Sequence, residues 1–277
     1  MSHAHAGPHG ASVDAQPDVY TNPVWRYLVH AATLVDLELR KLRRDPSELI
    51  MRAVQPALWL LVFGQAFGRL RVVPTGGVSY MAFLTPGILA QSVTFISIFY
   101  GIAIIWERDM GLLQKFLTTP MHRSALVLGK QLGASTRAVS QAVIVLVLSW
   151  LVGVRLRMGW GVFGVLVLVV LGAAFFAGMS MVLAALLKTR ERMMGIGQVI
   201  TMPLFFSSNA LYPIDIMPAW LKVVATLNPM TYLVDGLRGL LLGVGTHAVW
   251  VDLLVLAVAG LGMLCLASYL FPRRLAG

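Results

Sequence analysis

The chain has 277 residues, of which 58% are hydrophobic and only 12% are charged, and its mean hydropathy is +0.78. A soluble domain carries about 25% charged residues, so this composition excludes an ordinary soluble protein and predicts an integral membrane protein. The formal charge of +10 would suit a nucleic-acid-binding protein, but the basic residues lie in small groups at the ends of apolar runs. That placement is typical of residues that orient a membrane protein, so no nucleic-acid partner is predicted.

The first 21 residues are rich in His, Ala, Gly and Pro and contain no basic stretch followed by an apolar core. They do not resemble a signal peptide, and we predict a disordered tail over residues 1–21. His3, His5 and His9 offer metal ligands in this tail, but without cysteines or a fixed fold a solvated tail is favoured. The sequence therefore predicts no metal site.

The next region, residues 22–45, is predicted to be an amphipathic helix lying in the membrane interface. Asn22-Pro23 is a good helix start, because Asn caps a helix and Pro fits its first position. Apolar residues then recur at alternating spacings of three and four, and the basic residues lie off that line. The apolar line consists of Trp25, Leu28, Ala32, Val35, Leu39 and Leu42. A helix that binds a soluble partner is the alternative.

Six apolar runs, at about 50–67, 79–105, 127–154, 161–187, 195–212 and 249–271, are each long enough to cross a bilayer. Together they predict an all-α integral membrane protein with six transmembrane helices and both termini on the same side. The basic residues place that side in the cytoplasm, because only Arg69, Arg71, Arg155, Arg157, Lys222 and Arg238 fall on the other side. Lys130 and Arg137 lie inside the third run and must either snorkel or face protein.

A short charged segment, residues 106–124, separates the second and third runs. It carries a narrow apolar stripe that consists of Met110, Leu113, Phe116 and Leu117, and the charged residues Glu107, Arg108, Asp109 and Lys115 flank this stripe. Thr119-Pro120 ends the helical pattern. The segment predicts a short amphipathic helix that contacts a soluble partner, and the alternative is a helix that rests on lipid.

Residues 213–247 are largely apolar but are broken by Pro218, by Asn228-Pro229 and by several glycines, so neither half can cross a bilayer. We predict a re-entrant helical hairpin that enters from the outer face and whose broken backbone is shielded by protein. Asp235 and Arg238 lie three residues apart on its second half and could form an ion pair there.

The sequence contains no glycine-rich phosphate loop, and no acidic residue lies in the middle third of any predicted span. A hydrolase or acyltransferase site could be assembled from His247, Asp235 or Asp252, and Ser207 or Ser208. No nucleophile motif surrounds either serine, so no catalytic residue is predicted. The residues predicted to line a path for an apolar substrate are Phe99, Phe206 and Asn209, although such residues more often face lipid or neighbouring helices.

Two stretches resemble the membrane subunits of type-2 ABC exporters, including those for drug resistance and lipo-oligosaccharides. The first comprises Glu107, Gly111, Leu117, Thr119, Pro120, Gly129 and Lys130. The second is the more specific stretch from Ser208 to Gly239, which includes L-Y-P-I-D-x-M-P-x-W-L and L-N-P-M-T-Y-L-V-D-G-L-R-G. The resemblance covers nearly all of the chain after the tail. It departs from the family where relatives often have G-T-x-E, because this chain has Gly111-Leu112-Leu113-Gln114.

The resemblance implies a permease subunit over residues 46–277 that works by alternating access in the cytoplasmic membrane. A second permease half, in a homodimer, and a separate ABC ATPase subunit would be its partners, with ATP and Mg²⁺ bound by the ATPase and no cofactor bound by this chain. The implied contacts with the ATPase are Glu107, Arg108, Gly111, Leu113, Phe116, Leu117, Thr119 and Pro120. A drug, an antibiotic or a lipid is the expected substrate. The alternatives are a lipid-linked saccharide or polysaccharide as substrate, or a non-transporting scaffold as function.

Overall fold

The structure, a computed structural model, describes residues 29, 32–33, 35–40, 44, 46–70, 74–75, 77–111, 123–157, 159–187 and 189–275. At 46–50, 69–70, 123 and 271–275 only the backbone is described. The predicted tail 1–21 and residues 112–122 of segment 106–124 lie outside the described residues. Every described residue between 29 and 44 is helical, as predicted for the helix over 22–45.

The first predicted span is a continuous helical stretch with an irregular middle. Helix α1 (Pro46–Leu58) runs into a π-helical turn (Trp59–Phe63) and then into helix α2 (Gly64–Leu70). Pro56 has no N–H to donate to the Arg52 carbonyl oxygen one turn earlier. The Gln141 side chain replaces that donor, because its Nε2 donates to this carbonyl oxygen at 3.2 Å.

Among the described residues, four helices are long and apolar enough to cross a membrane. They are α3 (Tyr80–Asp109), α4 (Arg123–Leu151), α5 (Gly161–Leu186) and α9 (Val249–Leu275), and they correspond to the second, third, fourth and sixth predicted spans. Helix α5 lies at the centre and packs against α3, α4 and α9. The described residues form no β-strand, which confirms the all-α prediction for a membrane protein.

The fifth predicted span, 195–212, was misplaced. Helix α6 (Arg190–Phe206) begins earlier, because the Thr189 Oγ accepts a hydrogen bond from the Arg192 N–H and caps it. It also ends earlier, because the Ser208 Oγ donates to the Phe205 carbonyl oxygen and the chain turns. With 17 residues, α6 is shorter than the other four long helices.

The third predicted span, 127–154, also extended too far at its end. Helix α4 ends at Leu151, and Gly153 adopts the left-handed conformation with φ of 86°. A glycine in this conformation ends a helix without the steric cost that other residues incur.

Residues 213–247 form a pair of helices joined at Asn228. A 3-10 turn (Ile214–Ile216) leads into helix α7 (Ala219–Leu227), which is followed by helix α8 (Pro229–Leu242). The Asn228 side chain accepts from the Met230 N–H, and Pro229 occupies the first position of α8. Helix α8 packs against α3, α5 and α9, and the re-entrant placement of the helix pair in the membrane stays a prediction. Helix α7 exposes Trp220, Val223 and Leu227.

Glycine allows α3 to contact the turn that follows α6. A Cβ atom built at Gly87 would lie 2.9 Å from the Ala210 Cα and carbonyl carbon, and closer still to the Ala210 oxygen. These are backbone atoms, so no side-chain rotation can relieve the overlap. The Pro86-Gly87 step in α3 therefore marks a backbone-to-backbone contact that only glycine permits.

Candidate functional site

The end of α3, which contains the first four residues of segment 106–124, is held by a buried ion pair. Glu107 of α3 pairs with Lys130 of α4, with 2.5 Å between Oε2 and Nζ. The Lys130 side chain is 2% exposed and the Glu107 side chain 12%. Lys130 therefore faces protein and does not snorkel to the membrane surface, the other possibility for a lysine in an apolar run. Two buried charges at this distance fix the separation of α3 and α4.

Further contacts connect the same end of α3 to the turn between α5 and α6. Arg108 donates to the Leu187 carbonyl oxygen at 3.2 Å. Asp109 pairs with Arg190 at 3.2 Å, and the Arg190 guanidinium lies over the Trp106 ring, 4.0 Å from its centroid. The start of segment 106–124 is thus attached to α4, to α6 and to the turn that precedes α6.

Of the predicted contact residues in this segment, Glu107 and Arg108 lie in α3, and Gly111 follows it with φ of 70°. Gly111 donates to the Arg108 carbonyl oxygen and ends the helix in the left-handed conformation. The other predicted contacts lie outside the described residues: Leu113, Phe116, Leu117, Thr119 and Pro120.

A second buried ion pair attaches the N-terminal helix to the bundle. Glu38 is 3% exposed and receives hydrogen bonds from Arg137 Nε at 2.8 Å and from the Tyr100 hydroxyl at 3.1 Å. A Cβ at Gly133 would lie 2.9 Å from the Glu38 Cγ, so this glycine permits the close approach of the helix to α4. Arg137, like Lys130, faces protein.

The sequence analysis did not identify Glu38 as a buried residue that pairs with Arg137. The predicted apolar line of the N-terminal helix runs through Val35 and Leu39, yet Leu39 is 45% exposed while Glu38 is buried. The available signal was the placement of Arg137 within an apolar run, since a buried cation requires an anion nearby. Nothing in the local pattern identified which of the acidic residues would supply it.

Replacing Glu38 by Ala is expected to lower the free energy of unfolding by about 2 kcal/mol, because Arg137 and Tyr100 lose a charged hydrogen-bond partner. Asp36→Ala is the matched control in the same helix. Asp36 is exposed and pairs only with Arg40 one turn later in the described contacts, so its loss should cost at most about 0.5 kcal/mol. Thermal unfolding in detergent measures both changes. Equal losses would show that Glu38 is not the residue that attaches the helix.

Between α1, α3 and α4 lies a cavity of about 420 Å³. One wall is aromatic, with the Phe95 and Phe99 ring centroids 4.3 Å apart. Two arginine residues also line it: Arg52, and Arg137, which is paired with Glu38. The cavity thus combines an apolar surface with cationic groups, a combination suited to an amphipathic molecule.

The three residues predicted to line a substrate path lie in different surroundings. Phe99 lines the cavity, Phe206 is 47% exposed at the end of α6, and Asn209 is 1% exposed. The Asn209 Nδ2 lies 3.5 Å from the Asp235 Oδ1, in a separate polar cluster. The path therefore remains a prediction, and of the three residues only Phe99 lines the cavity.

That polar cluster brings together residues from α8, α9 and the turn between them. Asp235 accepts from the Thr246 and His247 N–H groups at 2.7–2.9 Å, and the His247 Nδ1 lies 3.2 Å from Asp235 and 3.8 Å from Asp252. Among the described contacts, Arg238 makes no hydrogen bond or close ion pair with Asp235, although the charges of the two residues interact. It donates to the Asn209 carbonyl oxygen and lies over the Phe83 ring.

An outer-face hydrolase would need one of two serines as its nucleophile. Both serines form hydrogen bonds with residues outside the polar cluster. The Ser207 Oγ accepts from the Asn228 Nδ2, and the Ser208 Oγ donates to the Phe205 carbonyl oxygen. Catalysis by serine requires a hydrogen bond between nucleophile and base. Within the described residues, neither serine makes one to His247.

Comparison with known proteins places this arrangement in a family. Residues 30–242 match the model of the ABC-2 type transporter family. A daunorubicin resistance ABC transporter permease protein of Streptomyces coeruleorubidus is 31% identical over 236 residues, which cover 83% of this chain and 81% of that protein. A protein of Cyanophora paradoxa named as a transport permease is 30% identical over 215 residues, covering 76% and 72%.

Nodulation protein J of Rhizobium leguminosarum bv. trifolii is 27% identical over 199 residues, covering 71% of this chain and 75% of that protein. The family match extends from the N-terminal helix to the end of α8 and so includes both buried ion pairs and the cavity. This chain belongs to the ABC-2 type transporter family of membrane permeases.

Proposed function

We propose that this chain is the permease subunit of an ATP-driven exporter that moves a hydrophobic or amphipathic molecule out across the cytoplasmic membrane. The cavity between α1, α3 and α4 carries this proposal, because it offers an aromatic wall and two arginine residues within a family of transport permeases. In this proposal the helical stretch 46–70 and helix α6 cross the membrane with the four longer helices. Both termini then lie in the cytoplasm.

The partners in this proposal are a second copy of the chain and a separate ATPase subunit. Segment 106–124 forms the coupling helix that contacts the ATPase, which binds ATP and Mg²⁺. The attachment of its start to α4 and α6 supports this role, because a segment that transmits movement must be fixed to the helices that it moves. ATP shifts the equilibrium between inward-facing and outward-facing states only by its differential affinity for them.

The relative named for daunorubicin resistance supports a planar aromatic drug as one substrate class. The cavity suits such a molecule, because Phe95 and Phe99 can stack on a ring while Arg52 and Arg137 face its polar groups. A lipid-linked saccharide is the alternative, and the apolar wall would then contact its lipid portion.

The test is purification of the protein from its native membrane in mild detergent, followed by reconstitution of the purified complex into liposomes. A stoichiometric subunit with a phosphate-loop motif, together with ATP-dependent movement of daunorubicin across the liposome membrane, is the expected result. ATP-dependent movement of a lipid-linked saccharide alone would favour the alternative substrate. An intact protein that repeatedly purifies without an ATPase would contradict the proposal and favour a scaffold.

Phe116→Asp is expected to abolish ATP-driven transport, because a carboxylate would interrupt the apolar stripe of segment 106–124. Membrane insertion should be unchanged. The matched control is Ile216→Asp, an equivalent change at an exposed position in the hairpin region, which should leave ATP-driven transport intact. Transport and ATP hydrolysis are measured in the same liposomes. Normal transport by the Phe116 variant would remove this segment from the mechanism.

A further inference from the structure

The geometry points to a divalent metal site, best suited to Zn²⁺, formed by Asp235, His247 and Asp252 where α8, α9 and the turn between them meet. The three side chains each offer one ligand atom, and these atoms all lie within 4.8 Å of one another. One imidazole nitrogen and two carboxylate oxygens are a ligand set that zinc accepts, with a fourth position left for another ligand. Nothing in the proposed transport mechanism requires this site.

The two spacings from the His247 Nδ1 are close to the value for tetrahedral coordination. With metal–ligand bonds of about 2.0–2.1 Å, two ligand atoms of a tetrahedral site lie about 3.4 Å apart. The His247 Nδ1 lies 3.2 Å from the Asp235 Oδ2 and 3.8 Å from the Asp252 Oδ1, values on either side of that spacing. All three ligand atoms lie within 4.8 Å of one another, so a shift of up to about 1.4 Å in one carboxylate would complete the arrangement.

Burial favours a cation here. Asp235 is 1% exposed and Asp252 is fully buried, because α9 packs so closely on α8 that a Cβ at Gly236 would lie 3.2 Å from the Asp252 Cβ. Neighbouring buried carboxylates repel each other unless a positive charge lies between them. Arg238 is near enough for its charge to act on Asp235, but its Nη2 donates to carbonyl oxygens and not to these carboxylates.

The buried carboxylate of Asp252 points to a ligand independently of the spacing. Both carboxylate oxygens of Asp252 lack a hydrogen-bond partner among the described residues, and so does the Asn209 Oδ1. The Asn209 side chain contacts the cluster, because its Nδ2 lies 3.5 Å from the Asp235 Oδ1. The unpartnered carboxylate oxygens of Asp252 can be satisfied by a cation, directly or through a metal-bound water.

The remaining contacts would hold the ligands in place. The Thr246 and His247 N–H groups fix the Asp235 carboxylate, and the Tyr232 ring stacks on the imidazole with 5.6 Å between centroids. Outer contacts of this kind orient metal ligands and increase their affinity. The His247 side chain is 36% exposed, which gives an ion a route to the buried carboxylates. Bound metal would fasten the turn after α8 to the first turn of α9.

Equilibrium dialysis of the full-length protein against micromolar free Zn²⁺, followed by elemental analysis, tests the site. Because the N-terminal histidines can also bind zinc, every variant carries Ala at His3, His5 and His9. One zinc ion per chain and a rise in the unfolding temperature with zinc concentration are expected. Asp252→Asn should weaken binding at least about tenfold and remove the temperature rise.

Asp215→Asn is the matched control, because Asp215 is an exposed aspartate in the 3-10 turn outside the cluster, and it should bind zinc normally. Without metal, Asp252→Asn should unfold at the same or a higher temperature, since it removes a buried charge. If Asp252→Asn fails to fold, zinc binding by His247→Gln tests the site instead, because a partly exposed side chain tolerates substitution. Absence of stoichiometric zinc, or equal binding by both cluster variants and the control, would overturn the proposal.

Discussion

Replacing Lys130 by Met is expected to lower the free energy of unfolding by about 3–5 kcal/mol. The change keeps the length and packing of the side chain but removes the cation that lies 2.5 Å from the Glu107 carboxylate. Loss of one member of a buried ion pair has this cost because the remaining charge stays in a medium of low polarity. Unfolding in detergent, followed by circular dichroism against temperature or denaturant, measures the loss.

Two further variants separate the ion pair from a general effect of lost charge. The double variant Glu107→Gln/Lys130→Met should recover most of the lost stability, since it leaves no buried charge. Arg192→Met removes an exposed basic residue from the first turn of α6 and should change stability by less than about 0.5 kcal/mol. A double variant that is no more stable than Lys130→Met would contradict the ion-pair explanation.

Gly87→Ala is expected to cost about 3 kcal/mol, near the upper end for overpacking, because the added methyl group meets the Ala210 backbone. The turn after α6 would have to move away from α3. Since Ala210 follows Asn209, the contact between Asn209 and Asp235 should weaken as well. The same unfolding measurement detects the loss of stability.

Gly68→Ala provides the comparison, because Gly68 is also helical but a Cβ there meets nothing within 4 Å. Alanine favours a helix by about 1 kcal/mol over glycine, so this variant should be neutral or slightly more stable. If both alanine variants behave alike, α3 does not contact the turn at the distance described.

Much of the helical framework is predictable because its signals are local. The run predicted at 161–187 corresponds to α5 (Gly161–Leu186), whose residues are almost continuously apolar. The break at Asn228-Pro229 also follows from the residues themselves, since Asn caps a helix and Pro begins one. The length of the apolar run wrongly predicted that the fifth span continues through residues 207–212. Ser and Asn side chains there favour a turn over continued helix.

The partners of buried polar residues could not be predicted, because they are distant in the sequence. Glu38 meets Tyr100 and Arg137, which lie 62 and 99 residues further along the chain. Gln141 donates to the Arg52 carbonyl oxygen across 89 residues. The cluster of Asp235, His247 and Asp252 follows no metal-binding spacing, and only the packing of α9 against α8 brings it together.

Helix α3 has attachments at both ends, at Gly87 and at Glu107, and the intervening 20 residues give a separation of about 30 Å. A tilt of about 5° around the Gly87 contact displaces Glu107 by about 2.6 Å over that length. Such a displacement exceeds what the Lys130 ion pair or the Arg108 hydrogen bond to Leu187 can absorb by stretching. The starts of α4 and α6 must therefore shift with the end of α3, or those contacts must break.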